Sequence, residues 1–552
     1  MKRRDFIKTT AIAGAALGMG FYGGRKIGVK QPFETIIKNG VIYTGDGKEP
    51  IKGDIGIKEG RIAAIGSLGE SADIILDAKG LTVSPGFIDL HSHTDTNLFD
   101  SPRGDSRIYQ GVTTEIGGNC GDSPFPYSDE YFNSKKDTLR HGYPFWQNID
   151  GFYDALKKNG IGINYGSYVG QGQLRSAVVG DNNVVATAAQ MDKMKGIIAE
   201  SMQAGAAGMS CGLEYTPGSY ASNDEISEIL KVVAKYNGLF AIHMRNEDDR
   251  VEESVVEAIS IARKAGVRLQ ISHLKAQNAN NWHKGPNLLR LIEQAHNEGF
   301  DIAFDRYPYI AFSTGLSTFI PMNERQGSDN EVIARLKDEV QAKKIGEYAI
   351  SRIKRLGGPQ NVVITSGDLP ENKQYIGKGI DECCKLANLD IWPFIRKMLI
   401  DEKLSTQMIG FAMTEDNVKM FLAHPLGMPA SDGSVYSPVG PLGKTMPHPR
   451  SYGTFPRFLG KYVRQENICD LSTAIHKCTA LPASRLALKE RGSLIPSYHA
   501  DIVVFNPETI IDTATFSEPH QFPKGIEHVF VNGIWTIKHG KHTGKLGGSI
   551  LV

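Results

Sequence analysis

Residues 238–275 read GLFAIHMRNEDDRVEESVVEAISIARKAGVRLQISHLK. An apolar run closes on His243, a polar loop and a helical stretch follow, and a second apolar run closes on His273. Units of this kind build parallel sheets, because the crossover helix carries the chain back to begin the next strand in the same direction. The texture recurs along the chain in VSPGFIDLHSH (83–93), GVTTEIGGNCG (111–121), IGINYGSYVG (161–170), AAGMSCGLEY (206–215), FDIAFDRYPY (300–309) and AHPLGMPASDG (423–433). Counted with the two runs above, eight such units predict an α/β fold of the (β/α)8, TIM-like barrel class. In several of them a His, Cys or Asp stands where the apolar run ends, which is the catalytic face of such a barrel.

The spacing is regular as far as Tyr309 and resumes near Ala423. The stretch at about 320–410, with amphipathic pieces such as EVIARLKDEVQAKKIGEYAISRIKRL, reads as an insertion after barrel strand seven. Outside the repeats, residues 33–83 and 481–552 alternate apolar and polar residues and break at Asn-Gly, Asp-Gly and Glu-Gly. Those are hairpin signals, and the two ends together predict one small β-sandwich flanking a barrel at 84–480.

Residues 1–30 open with MKRRDFIKTT and continue into a short, small-residue apolar stretch. Arg3-Arg4 with Phe6, Ile7 and Lys8 predicts a twin-arginine-like signal and therefore export to the periplasm, with no stable membrane insertion afterwards. Composition narrows the rest. Lys and Arg number 62 against 61 Asp and Glu, a net charge of +1, so no global field draws the protein to nucleic acid or to an anionic membrane surface. A small-molecule substrate fits better. Hydrophobic residues at 41% and charged residues at 22% are ordinary globular values. The 60 glycines exceed the usual ~7% and suit tight loops around an α/β active site. The six cysteines, at 120, 211, 383, 384, 469 and 478, lack the dense spacing of a disulfide framework; Cys211, Cys383 and Cys384 read as structural.

The chemistry gathers at the run ends. His91 and His93 are two apart, so on a strand their imidazoles share a face. Cys120, His243, His273 and Asp432 stand at four other run ends, and a barrel brings such residues to one centre. Imidazole and thiolate donors suit zinc, and a zinc ion lowers the pKa of its water to about 7, which points to hydrolysis at a carbonyl. The glycines around Cys120 suit a loop that approaches a site closely. Tyr307 or Tyr309 in DRYPY, Tyr307 by preference, is placed to hydrogen-bond a carbonyl oxygen as it becomes an oxyanion.

The chain resembles the amidohydrolase superfamily over nearly all of its length, and within it the D-aminoacylase or N-acyl-D-amino-acid deacylase group. The motifs that carry the likeness are PGFIDLHSHTD, GGNCG, GAAGMSCGLEYTPG, AIHMRNE, ISHLK, DRYPY, ASDG and HPRSYGTFPR. A cysteine after the second strand marks this group, whereas hydantoinase-like and dihydroorotase-like relatives carry a carboxylated lysine on the fourth strand. The resemblance implies that Cys120, His243 and His273 hold one tight Zn2+, with His91, His93 and Asp432 beside a second, weaker position. It implies that Asp432 is the catalytic base and then acid, and that Lys275 and Arg450 bind the substrate carboxylate. SYHAD at 497–501 departs from the group's usual Gly-x-x-Ala-Asp, in a turn away from the site. The expected activity is zinc-dependent hydrolysis of the amide bond of N-acyl-D-amino acids. The alternatives are a D-dipeptidase-like or other C–N hydrolase of the same superfamily and, from a different class, a non-catalytic exported binding protein.

Overall fold

The computed structural model describes residues 33–551, and the twin-arginine-like segment lies outside them. Among the described residues no helix is long and apolar enough to cross a membrane.

The opening stretch folds as a strand, Leu239–His243, a helix, Val251–Ala265, and a second strand, Arg268–Ile271, with Leu239 paired in parallel to Arg268. The helix buries Val251, Val255, Ala258, Ile261, Ala262 and Ala265, one stripe at helical spacing. Glu252 and Glu253 stand in its first turn and Arg263 and Lys264 in its last, which complements the helix dipole at both ends. The preceding helix, Asn223–Lys235, is capped by Ser222, whose hydroxyl accepts from the Glu225 backbone N–H at 3.1 Å.

The fold is α/β. Each of the eight apolar runs holds a strand: Phe87–Asp89, Val112–Gly117, Asn164–Ser167 continuing as Val169–Gly170, Gly208–Gly212, Leu239–His243, Arg268–Ile271, Ile302–Arg306 and Gly427–Pro429. Each pairs in parallel with the next in that order. An isolated parallel bridge, Ser92 to Gly433, joins the loops that follow the first and the eighth. The strands are buried nearly throughout, as expected of parallel strands covered by helices.

Between the seventh and eighth strands lies a three-stranded antiparallel sheet, with Gln407–Phe411 between Ala311–Gly315 and Val362–Ile364. It has helices and a core of its own, including Phe312, Leu336, Ile345, Phe394 and Met398. Its first strand begins at Ala311, ahead of the expected start near 320, because no turn residue separates DRYPY from the strand AFSTG. The two chain ends share one nine-stranded sheet, in which Thr82–Pro85 pairs antiparallel with Ile502–Phe505. This sheet encloses Ile37, Ile55, Ile57, Val83, Ile502, Val504 and Phe530.

Candidate active site

The candidate residues leave the strands at one end. His91 and His93 follow the first strand, and their backbones bond across to the eighth-strand loop: Asp432 N–H donates to His91 O at 2.9 Å, and His93 N–H to Gly433 O at 2.7 Å. Cys120, His273 and Asp432 all have left-handed backbones, with φ of 52°, 38° and 48°. Non-glycine residues seldom adopt that conformation, and here it occurs where three side chains converge. The GGNCG loop reaches them by close backbone contact. A Cβ on Gly121 would stand 2.6 Å from Gly212 N, so only glycine fits.

The Cys120 sulfur lies 3.4 Å from His91 Nε2 and 3.5 Å from His273 Nε2. Asp432 Oδ1 lies 3.1 Å from His93 Nε2 and 3.3 Å from His91 Nε2. Two groups of donor atoms, each lying within 4.8 Å of one another, therefore share Cys120: Cys120 with His243 and His273, and Cys120 with His91, His93 and Asp432. All six residues that the sequence singled out as metal ligands are brought together. Burial pushes the Cys120 thiol up, but His91 and His273 more than offset it and hold it well below its ordinary value. Burial also opposes ionisation of Asp432, and Arg450, His273 and His91 together hold its carboxyl well below the usual range. A thiolate and a carboxylate among imidazoles make a donor set that fits zinc. The fourth strand offers Cys211 and no lysine, and burial pushes that thiol up, so it stays a neutral core group.

His93, Cys120, His243, His273 and Asp432 line one cavity of about 610 Å³ together with Lys275, Tyr307 and Arg450. Lys275 is almost fully buried; its ammonium donates to Glu247 at 2.7 and 2.8 Å and lies 2.6 Å from His273 Nδ1. Arg450 Nη1 donates to Asp432 Oδ2 at 2.6 Å, and its guanidinium lies 4.7 Å over the Tyr307 ring. Arg450 Nε and the Tyr307 hydroxyl are buried and have no hydrogen-bond partner among the described residues. Tyr309 differs, since its hydroxyl is engaged by Pro449 O at 3.4 Å and Asp512 Oδ2 at 3.3 Å.

A family model described as the amidohydrolase family matches residues 75–364 and 409–536. The chain belongs to the amidohydrolase family. The D-aminoacylase of Alcaligenes xylosoxydans xylosoxydans is 33% identical over 523 residues, covering 94% of this chain and 98% of that protein. The N-acyl-D-glutamate deacylase of the same organism is 32% identical, with 92% and 94% covered. The solved N-acyl-D-glutamate deacylase from Bordetella bronchiseptica, complexed with zinc and a phosphonate inhibitor that mimics the reaction's tetrahedral intermediate, superposes with a TM-score of 0.80. That structure is 31% identical, with 94% of this chain and 100% of that one covered.

In this amidohydrolase an outer ring of carboxylates orients the imidazoles, and sequence reading missed it. Asp305 Oδ1 is 3.0 Å from His91 Nδ1 and accepts from the His273 N–H at 2.7 Å, while Gln270 donates to its Oδ2. Glu247 lies 3.0 Å from His273 Nδ1 and accepts from Lys275 and Gln277. Glu214 lies 3.3 Å from His243 Nε2 and 3.0 Å from Arg352 of the insertion. Burial raises the Glu214 carboxyl, yet Arg352 and His243 bring it down to about 2. Such partners fix the tautomer and aim of a ligating histidine. The signal was present in motifs already quoted, Glu214 in GLEY, Glu247 in HMRNE and Asp305 in DRYPY.

Proposed function

We propose that this amidohydrolase is a zinc-dependent deacylase that hydrolyses the amide bond of N-acyl-D-amino acids, releasing a carboxylate and a D-amino acid. One observation carries the reading: a thiolate–imidazole cluster and an ionised carboxylate share a cavity with two buried donors, Tyr307 Oη and Arg450 Nε, that have no partner among the described residues. A substrate with a carbonyl oxygen and a carboxylate supplies the missing acceptors. The D configuration is supported by the likeness to D-aminoacylase and N-acyl-D-glutamate deacylase over more than nine-tenths of the chain.

Cys120, His243 and His273 would hold the tight zinc, with His91, His93 and Asp432 at a second, weaker position. Zinc in such a set supplies a Lewis acid that makes water a nucleophile near neutral pH. Asp432 accepts the water's proton at Oδ1 and hands it to the leaving amine nitrogen, while Arg450 holds Oδ2. Tyr307 Oη donates to the carbonyl oxygen as negative charge builds there. Arg450 binds the substrate carboxylate, and Lys275 lines the same cavity. Arg450→Ala is expected to lower kcat/KM for an N-acyl-D-amino acid by about 1.5 to 3 kcal/mol, roughly ten- to a hundredfold. The matching carboxamide should lose much less, and zinc content should hold. Equal losses on both substrates would remove the anchoring role.

The whole reading is tested by metal analysis of the purified protein joined to a screen of N-acyl-D-amino acids, their L enantiomers and D-dipeptides. Turnover confined to the L series, or none with zinc present, would overturn it.

The fold reading belongs with this proposal. The eight parallel strands, with the Ser92–Gly433 bridge across the ends, support a closed (β/α)8 barrel, and the sheet of both chain ends supports the small β-sandwich. Export rests on Arg3-Arg4 with Phe6, Ile7 and Lys8 and on the small-residue apolar stretch that follows. Replacing both by Lys is expected to leave the protein in the cytoplasm on cell fractionation; unchanged delivery would remove the twin-arginine route.

A further inference from the structure

Arg107, Arg175 and Arg306 are among the largest fully buried side chains of the described residues. Burying a guanidinium is costly unless an anion accompanies it. Arg107 Nε meets Glu115 at 2.7 Å, and Arg175 Nη1 meets Glu225 Oε2 at 2.6 Å. Arg306 is the exception, with no carboxylate at ion-pair distance among the described residues. Its Nη2 donates to Tyr309 O at 2.7 Å, while Nε and Nη1 have no hydrogen-bond partner among the described residues. What stands beside it instead is an aromatic face: its Cζ lies 4.2 Å from the centre of the Tyr307 ring.

Two guanidiniums lie over that ring, and they are not equivalent. Arg450, at 4.7 Å, has its charge matched by Asp432 at 2.6 Å. Arg306 is closer and unmatched. A cation over a phenol ring draws the π cloud toward itself, which takes electron density from the phenol oxygen and makes the O–H a stronger donor. The gain is largest where the acceptor gathers negative charge, as a carbonyl oxygen does on becoming an oxyanion. Water does not screen the effect, because Arg306 and Tyr307 are at most 1% exposed. The fold also fixes the cation in place. Arg306 is the last residue of the seventh strand, Ile302–Arg306, and its carbonyl accepts from the Ala430 N–H beyond the eighth at 3.2 Å.

We propose that Arg306 is a positioning residue for the hydrolysis: its unmatched charge over the Tyr307 ring strengthens the Tyr307 hydroxyl as the donor to the oxyanion. Arg306 is not one of the residues that line the cavity, so it acts through Tyr307 and not on the substrate. The inference rests on the deacylase reading above and on the place that reading gives Tyr307. Stabilisation confined to the oxyanion shows in kcat and in the affinity for a tetrahedral mimic, and leaves KM nearly unchanged. A residue that only supported the Tyr309 backbone would affect the enzyme equally with or without the Tyr307 hydroxyl.

The test uses an N-acyl-D-amino acid that the parent hydrolyses and a phosphonate analogue in which phosphorus replaces the scissile carbonyl carbon, with rates compared at equal zinc. Arg306→Met is the main variant, because an apolar side chain of similar length replaces a buried charge with little harm to folding. Its kcat and its phosphonate affinity should each fall about tenfold, while KM moves by less than about twofold. Tyr307→Phe removes the donor outright and should lower kcat roughly 10²- to 10³-fold. Adding Arg306→Met to Tyr307→Phe should then cost less than about twofold more, because the effect has lost its carrier. Arg306→Lys, which keeps a charge, should retain more activity than Arg306→Met. Parental kcat in Arg306→Met, or equal losses with and without the Tyr307 hydroxyl, overturns the inference and leaves the deacylase reading standing. If Arg306→Met does not fold, Arg306→Gln takes its place, and failure of both makes Arg306 structural and overturns the inference too. A zinc-loaded parent that hydrolyses no N-acyl-D-amino acid overturns both.

Discussion

Cys120→Ala is expected to lose tight zinc and turnover together. The Cys120 sulfur lies 3.4 and 3.5 Å from the Nε2 atoms of His91 and His273 and belongs to both donor groups, so its removal takes a ligand from each. A methyl group donates nothing, and His243 and His273 alone leave an ion under-coordinated. The thiolate is also one of the anions, with Asp305 and Asp432, that face the buried His91 imidazole. Metal analysis and a turnover assay, run beside the parent, check this. A variant that keeps stoichiometric zinc and near-parental turnover would return Cys120 to the class of buried structural thiols.

Asp432→Asn separates metal binding from proton transfer. The amide has nearly the carboxylate's shape and keeps an oxygen acceptor, but it cannot take a proton from water. Turnover should fall by roughly 10²- to 10⁴-fold, while the zinc held by Cys120, His243 and His273 stays. Because Arg450, His273 and His91 hold the Asp432 carboxyl well below its usual range, the base form is present throughout neutral pH, and no rise in pH should rescue the variant. An Asn variant with parental kcat would place the base elsewhere in the cavity.

The eight strands were legible because most lie in short, largely apolar runs, and because in several of them a ligand-type residue ends the run where the chain enters the site. His91, His93, Cys120, His243, His273 and Asp432 stand out for the same reason: a His, Cys or Asp closing an apolar run is conspicuous. The carboxylates behind them were not conspicuous. Glu214, Glu247 and Asp305 are three among 61 acidic residues, and only their distances to His243, His273 and His91 distinguish them from solvated charges. Arg352 was farther still from reach. It lies on a helix of the insertion, Glu339–Arg355, and meets Glu214 only because that insertion packs over the cavity. The choice between Tyr307 and Tyr309 likewise needed coordinates, since it turns on Asp512 occupying the second hydroxyl.

The sheet shared by both chain ends governs the order in which the molecule is completed during its synthesis. The segment with Ile37, Ile55 and Ile57 leaves the ribosome first, yet Thr82–Pro85 meets its neighbour Ile502–Phe505 only after all eight parallel strands have been made. Through that interval the early strands hold an uncovered apolar face and an unpaired edge, the condition in which chains join one another wrongly. Pairing between elements so far apart in the chain is slow, so closing this sheet is the late step of assembly. A nascent chain halted before Ile502 should therefore aggregate unless a chaperone shields residues 33–85, even where its parallel strands have already formed.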